Sequence, residues 1–206
     1  MNPSPNHKNV QTQSLTNRLL GYPPEARLLI INADDLGMCQ AVNAAIFGTL
    51  LGGVARSTSL MVPCPWAMQA MQFLRFGVRT DIPDLMTGLA KEYGLALRVR
   101  GRDWTDKVHS QALPANDYDF LDSSGFSPAE KARVFLELLH TLPSGLNEWA
   151  VHPGFDGAEL RAIEPEGSLV RQADYDFLMS QEAKDVVESE GILLIDYRAL
   201  QTVWKG

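Results

Sequence analysis

The chain has 206 residues, a formal net charge of −7 and 45% hydrophobic residues, a size that suits one domain able to bury most of its unfolded surface without a disulfide or structural metal. The acidic balance, without basic clusters or an aromatic-basic stripe, argues against nucleic acid or an anionic membrane as the main partner and is compatible with a neutral or cationic small substrate. Two cysteines, Cys39 and Cys64, cannot build a Cys-rich zinc cluster, and reduced thiols in a cytoplasmic protein are their simplest reading.

Residues 1–14 are polar, lack the apolar core of a secretion signal and read as a flexible tail. Residues 15–206 read as a single α/β domain. No apolar stretch approaches the ~20 residues of a transmembrane helix, so the expectation is a soluble, cytoplasmic protein.

The run Leu28-Leu29-Ile30-Ile31-Asn32-Ala33 predicts a strand buried on both faces, as in a parallel sheet covered by helices. It ends in Asp34-Asp35, followed by Leu36-Gly37. Parallel strands deliver functional groups at their carboxyl ends, so two adjacent carboxylates here point to chemistry. If the strand continues, the two side chains point to opposite sides, one free to hold a cation while the other faces a water. A cation nearby would keep both ionised. The alternative is that one of them caps the helix starting near Cys39, although a cap needs only one.

The spacing predicts a helix over 41–51, stopped by Gly52-Gly53, then a strand over 57–62 broken by Pro63-Cys64-Pro65 and a helix over 66–76. Helix-then-strand units follow at 85–93, capped by Gly94, with 95–99, and at 128–142 with 147–151. The last unit is a helix over 175–190, capped by Gly191, with a strand over 192–195. A shorter strand is expected over 118–121. Strands alternating with helices give a mostly parallel sheet, open or closed into a barrel. About six strands are counted, fewer than the eight of a complete (β/α)8 barrel.

His152, between Val151 and Pro153-Gly154, also lies where a strand gives way to a loop, on the same sheet edge as the acids. It can act as general acid or base near neutral pH, and Pro153 restricts its backbone to extended forms. Taken alone, it could equally be a histidine hydrogen-bonded at a turn. His140, in the last turn of a predicted helix, suits the negative end of the helix dipole; His7 is in the tail; His109 is expected on a loop. Neither cysteine has a histidine within a few residues to activate it. Trp66, Trp104 and Trp149 could stack on a sugar ring or fill the core, and Asp122 is a candidate supporting carboxylate near a strand end.

The stretches Leu29-Ile30-Ile31-Asn32-Ala33-Asp34-Asp35-Leu36-Gly37, Ala41-Val42-Asn43-Ala44-Ala45-Ile46 and Ser57-Thr58-Ser59-Leu60-Met61-Val62 closely resemble the opening of the YdjC-like carbohydrate deacetylases. Trp149-Ala150-Val151-His152-Pro153-Gly154 resembles that family's late histidine motif, and Gly191-Ile192-Leu193-Leu194-Ile195-Asp196-Tyr197-Arg198 its C-terminal segment. The resemblance covers nearly everything after the tail, in two blocks that meet near Pro83-Asp84. It implies an irregular, incomplete TIM-like (β/α) barrel that removes acetyl groups from an N-acetylated oligosaccharide or glycolipid sugar with a divalent metal, zinc or magnesium. Matched by motif, Asp34 is the general base, Asp35 a metal ligand and His152 the acid that protonates the leaving amine. The sequence departs from the family after the second helix, where two further metal-binding histidines of the family are absent. A barrel that loses two units exposes sheet edges, which invites a homo-oligomer. The rival implication is a shortened, inactive member that binds sugar or self-associates.

Overall fold

The computed structural model describes residues 14–61, 63–67, 92, 94–99, 101–119 and 121–204. Of the tail expected over 1–14, residues 1–13 lie outside the described residues, as do most of the helices expected over 66–76 and 85–93.

Five strands form the sheet among these residues: β1 (Arg27–Leu36), β2 (Ser57–Leu60), β3 (Leu121–Asp122), β4 (Gly145–Val151) and β5 (Leu193–Leu194). Their order is β2-β1-β4-β3, with β5 also on β1, and every pairing is parallel. β4 pairs with β1 from Arg27 opposite Gly145 to Ala33 opposite Val151. That occupies one edge of β1, so β5 at Leu28 and Leu29 and β2 at Asn32 to Leu36 share the other.

Eight helices accompany them among the described residues: α1 (Leu15–Leu20), α2 (Gln40–Gly52), α3 (Arg102–His109), α4 (Lys131–His140), α5 (Ala158–Ile163), α6 (Ser168–Met179), α7 (Gln181–Ser189) and α8 (Tyr197–Trp204). None is long and apolar enough to cross a membrane.

The alternation of side chains along β1 divides the core in two. Leu29, Ile31 and Ala33 join Trp149 and Val151 of β4 under α2, α4, α6 and α7, through Ile46, Phe135, Phe177 and Ala183. Leu28 and Ile30 join Leu146 of β4, Val108 of α3, Leu200 and Trp204 of α8, and Leu97 and Val99. All of Leu28 to Ala33 are buried, as expected of a parallel strand covered on both faces.

Several elements differ from their sequence expectation: the strand expected over 118–121 is found at Leu121–Asp122, and α1, α5 and α8 have no counterpart among the expected elements. Residues 95–99 carry the alternating burial of a strand, with Leu97 and Val99 enclosed, but join no ladder among the described residues. Among the described residues their apolar pattern is satisfied by core packing, and five strands stand where about six were counted. The helix expected over 175–190 begins earlier and is two helices, broken where Ser180 leaves α6 in extended geometry and its hydroxyl caps α7 by accepting from the Ala183 N–H. His109 is not on a loop but ends α3, facing Thr16 Oγ1 at 3.2 Å and Ala115 O at 3.4 Å.

Candidate active site

The two acids sit in an irregular stretch of β1. Ladder pairing with β2 shifts register between Ala33 and Leu36, and Asp35 has φ 70°. A bulge of this kind re-aims side chains at the end of a strand, and aspartate is one of the few residues that tolerates a left-handed backbone. The strand continues through the acids, so they do face different partners. Neither caps α2: Cys39 holds that position without a side-chain bond, and Glu159 of α5 receives the Gln40 and Ala41 N–H groups at 3.1 and 2.8 Å. Gly37 follows with φ 101°; a Cβ there would lie 3.1 Å from Ala67 Cα and 3.2 Å from Met61 O, so only glycine fits this turn.

Asp34 accepts from Asn32 Nδ2 at 2.6 Å, Ser59 Oγ at 2.5 Å and Arg98 Nη1 at 2.8 and 3.0 Å. The same guanidinium pairs through Nε with Glu148 of β4, which also accepts from the Tyr197 hydroxyl at 2.6 Å. Burial pushes the Glu148 carboxyl up, while Arg98 and Tyr197 pull it back. Burial and the neighbouring Glu148 raise the Tyr197 phenol well above its usual value, so it stays a donor. Asp35 instead accepts from Arg171 Nη2 at 2.7 Å, whose Nε binds Glu164 at 2.6 Å.

His152 lies one residue past the Ala33–Val151 pair that ends the β1–β4 ladder, so His152 and Asp34 emerge side by side from neighbouring strands. Its backbone N–H donates to Asp174 Oδ2 at 2.8 Å, and its Nδ1 is 3.1 Å from Ser123 Oγ. Ser123 donates to Asp174 Oδ2 at 2.6 Å, and Lys131 Nζ binds Asp174 Oδ1 at 2.6 Å with both side chains fully buried. Burial lowers the Lys131 ammonium and Asp174 opposes that shift. Asp122 Oδ1 stands 3.9 Å from His152 Nδ1. Gly154 completes the local frame: its N–H donates to Arg171 O at 3.2 Å, and a Cβ there would meet Arg171 Cβ at 3.1 Å and Leu160 Cδ2 at 3.0 Å.

The remaining candidates fall outside this site. Cys39 is fully enclosed and burial raises its thiol, which disfavours the reactive thiolate. Trp149 is stacked on Phe135 with centroids 5.7 Å apart, and Trp66 and Trp104 pack against the two cores. His140 ends α4 and binds Glu190 at 2.8 Å.

A divalent cation at Asp35 would need further ligands, since a catalytic zinc normally takes three from protein. Among the described residues no three His, Cys, Asp or Glu side chains converge to hold a metal ion. Asp35 is turned to Arg171 and Asp34 to Arg98. The described donors do not fit a metal centre by themselves.

Sequence reasoning missed Arg98, Ser123, Lys131, Glu148, Arg171, Asp174 and Tyr197. Two signals were present: Glu148 is an acid inside a strand otherwise fully buried, and Arg171 and Asp174 are spaced to share one face of a helix.

A family model and curated relatives match the chain. The family model described as YdjC-like protein matches residues 28–82 and 76–189, two blocks that overlap over 76–82. Relatives named carbohydrate deacetylase include one from Vibrio cholerae serotype O1 (strain M66-2), 38% identical over 80 residues, covering 38% of this chain and 30% of the relative. Another, from Thermoanaerobacter pseudethanolicus (strain ATCC 33223 / 39E), is 38% identical over 63 residues, covering 31% and 23%. The matched stretch thus spans less than a third of either relative. A crystal structure from Enterococcus faecalis V583, provisionally described as a cellobiose-phosphate cleavage protein, superposes with a TM-score of 0.68 at 21% identity, over 85% of this chain and 99% of the other. That likeness speaks for the fold alone.

Proposed function

This chain belongs to the YdjC-like family, and from that premise we propose that it is a carbohydrate deacetylase, hydrolysing the amide of an N-acetylated sugar such as a chitooligosaccharide. The observation that carries the reading is the placement of Asp34 and His152 side by side at the carboxyl ends of paired strands, where one can take a proton from water and the other give one to the leaving nitrogen. Arg98 orients the Asp34 carboxylate, and orientation is what a general base requires first. His152 meets Ser123 through Nδ1, and Ser123 in turn donates to Asp174, so the reading gives the proton transfer to Nε2. A tetrahedral oxyanion must be stabilised as water adds to the carbonyl.

The assay is acetate release from an N-acetylglucosamine oligomer by the purified chain, with zinc or magnesium supplied. Release that is abolished in Asp34→Asn supports the reading; none from the wild type rejects it.

The metal dependence of the reading assigns Asp35 as carboxylate ligand of a divalent cation, zinc or magnesium. Calorimetric titration of wild type and Asp35→Ala tests this apart from turnover: binding lost in the variant is expected, and no binding to the wild type contradicts it. A second reading, a non-catalytic member that binds sugar or self-associates, is favoured by the arginines closing both carboxylates. It predicts oligosaccharide binding or a stable oligomer without acetate release.

A further inference from the structure

A histidine that handles protons at one ring nitrogen needs the other fixed, and the packing behind His152 decides which is which. Ser123 Oγ lies 2.6 Å from Asp174 Oδ2 and 3.1 Å from His152 Nδ1. A serine hydroxyl has one proton to donate. Turned toward the ring, it would leave two oxygens facing each other with lone pairs alone at 2.6 Å, in a place where Ser123 and Asp174 are both fully enclosed. The proton therefore goes to the carboxylate. Ser123 Oγ then offers the ring only an acceptor, and Nδ1 must bring the hydrogen.

Asp174 is held to this task from three sides. Lys131 Nζ occupies Oδ1, and the His152 backbone N–H and the Ser123 hydroxyl occupy Oδ2. Among the described residues Asp122 also faces the ring, 3.9 Å from Nδ1, and favours a proton there. α6 brings Asp174 to the end of β4 and, one turn earlier, Arg171 to Asp35 at the end of β1.

We propose that Asp174, acting through Ser123 and anchored by Lys131, is a positioning residue that holds His152 in the Nδ1–H tautomer and leaves Nε2 as the atom that exchanges protons with substrate. Its catalytic meaning rests on the deacetylase reading; the tautomer does not. In that reaction the protonated ring gives the Nε2 proton to the amide nitrogen as the C–N bond breaks and its electron pair passes to nitrogen. The ring returns to the neutral Nδ1–H form.

The test is long-range proton–nitrogen NMR of the full chain carrying ¹⁵N-histidine. The chain has four histidines, and the His152 signal is the one lost in His152→Gln. About two pH units above the ordinary imidazole pKa of ~6.5, wild-type His152 shows a protonated Nδ1 and a bare Nε2. Ser123→Ala moves it toward the Nε2–H form while the His109 and His140 signals stay in place. The double variant Lys131→Met/Asp174→Leu, which removes both buried charges together and so avoids an orphaned one, gives the same change. An Nε2–H tautomer in the wild type, or an Nδ1–H signal that survives both variants, overturns the proposal. Where acetate release is measured, Ser123→Ala lowers kcat about 10-fold or more with little change in KM, by analogy with the 10–100-fold losses from residues that orient a working histidine; an unchanged kcat also overturns it. A wild type that releases no acetate rejects the deacetylase reading alone, because the tautomer still decides the positioning claim.

Discussion

At the end of β4, His152 leans on Lys131 and Asp174, a pair of opposite charges with no exposed side-chain surface, whereas at the end of β1 the carboxylates of Asp34 and Asp35 keep 13% and 26% of theirs and are held by arginines. The first arrangement is a closed frame: its charges cancel internally, water cannot compete, and the geometry is set on folding. The second is open to exchange, since water or a ligand can replace an arginine at a partly exposed carboxylate. On the deacetylase reading, a fixed His152 and adjustable carboxylates are what a site needs if its substrate must enter beside the carboxylates.

Breaking the closed frame should have the largest effect. Lys131→Met leaves Asp174 buried without its counter-charge and should cost about 3–5 kcal/mol in urea denaturation. Lys131→Met/Asp174→Leu should recover most of that loss, and a double variant as unstable as the single would show that the pair does more than cancel itself. Arg98→Met sits between the two regions. It strips Glu148 of its cation but leaves the Tyr197 hydroxyl, and Arg98 is itself 23% exposed, so a loss of about 1–3 kcal/mol is expected from the same measurement. Arg171→Met, at the open end, should cost about 1 kcal/mol or less, because both of its carboxylates reach solvent. A loss as large as that of Lys131→Met would erase the distinction.

The smallest effect lies away from both ends, at Glu190. His140 and Arg27 hydrogen-bond its carboxylate and hold its pKa below the ordinary value. The unfolded chain therefore takes up this proton first as pH falls, so the contribution is present above the ordinary glutamate pKa and lost as pH drops through the lowered one. His140→Ala should flatten stability slightly between pH 5 and 3, and an unchanged acid limb would remove His140 from the account.

Much of this was readable in the chain, for reasons that differ by element. The run Leu28 to Ala33 announced a doubly covered strand because parallel sheets leave no face for polar residues, and Asp34, Asp35 and His152 stood out because acids and histidines at such strand ends lack a packing role. Residues 95–99 alternate as in a strand, and among the described residues Leu97 and Val99 are buried in the core with α3 and α8 and join no ladder. The helix over 175–190 hid its break because Ser180 is compatible with a helix interior and shows itself as a cap only through the Ala183 N–H it accepts. Asp174 and Lys131 were invisible for a deeper reason. They lie 43 residues apart, each reads as an ordinary charge on a solvated helix face, and only the packing of α4 on α6 turns them inward. The arginines are alike in this: Arg98 and Arg171 acquire meaning from carboxylates 64 and 136 residues away.

The central claim is that the two strand ends serve one reaction. It is tested most directly by measuring kcat/KM for acetate release from an N-acetylglucosamine oligomer in the wild type, Asp34→Asn, His152→Gln and the double variant. Groups that act as a unit are strongly non-additive, so the account predicts a double variant scarcely slower than the slower single. Losses that multiply, or a His152→Gln variant with wild-type turnover, would contradict it.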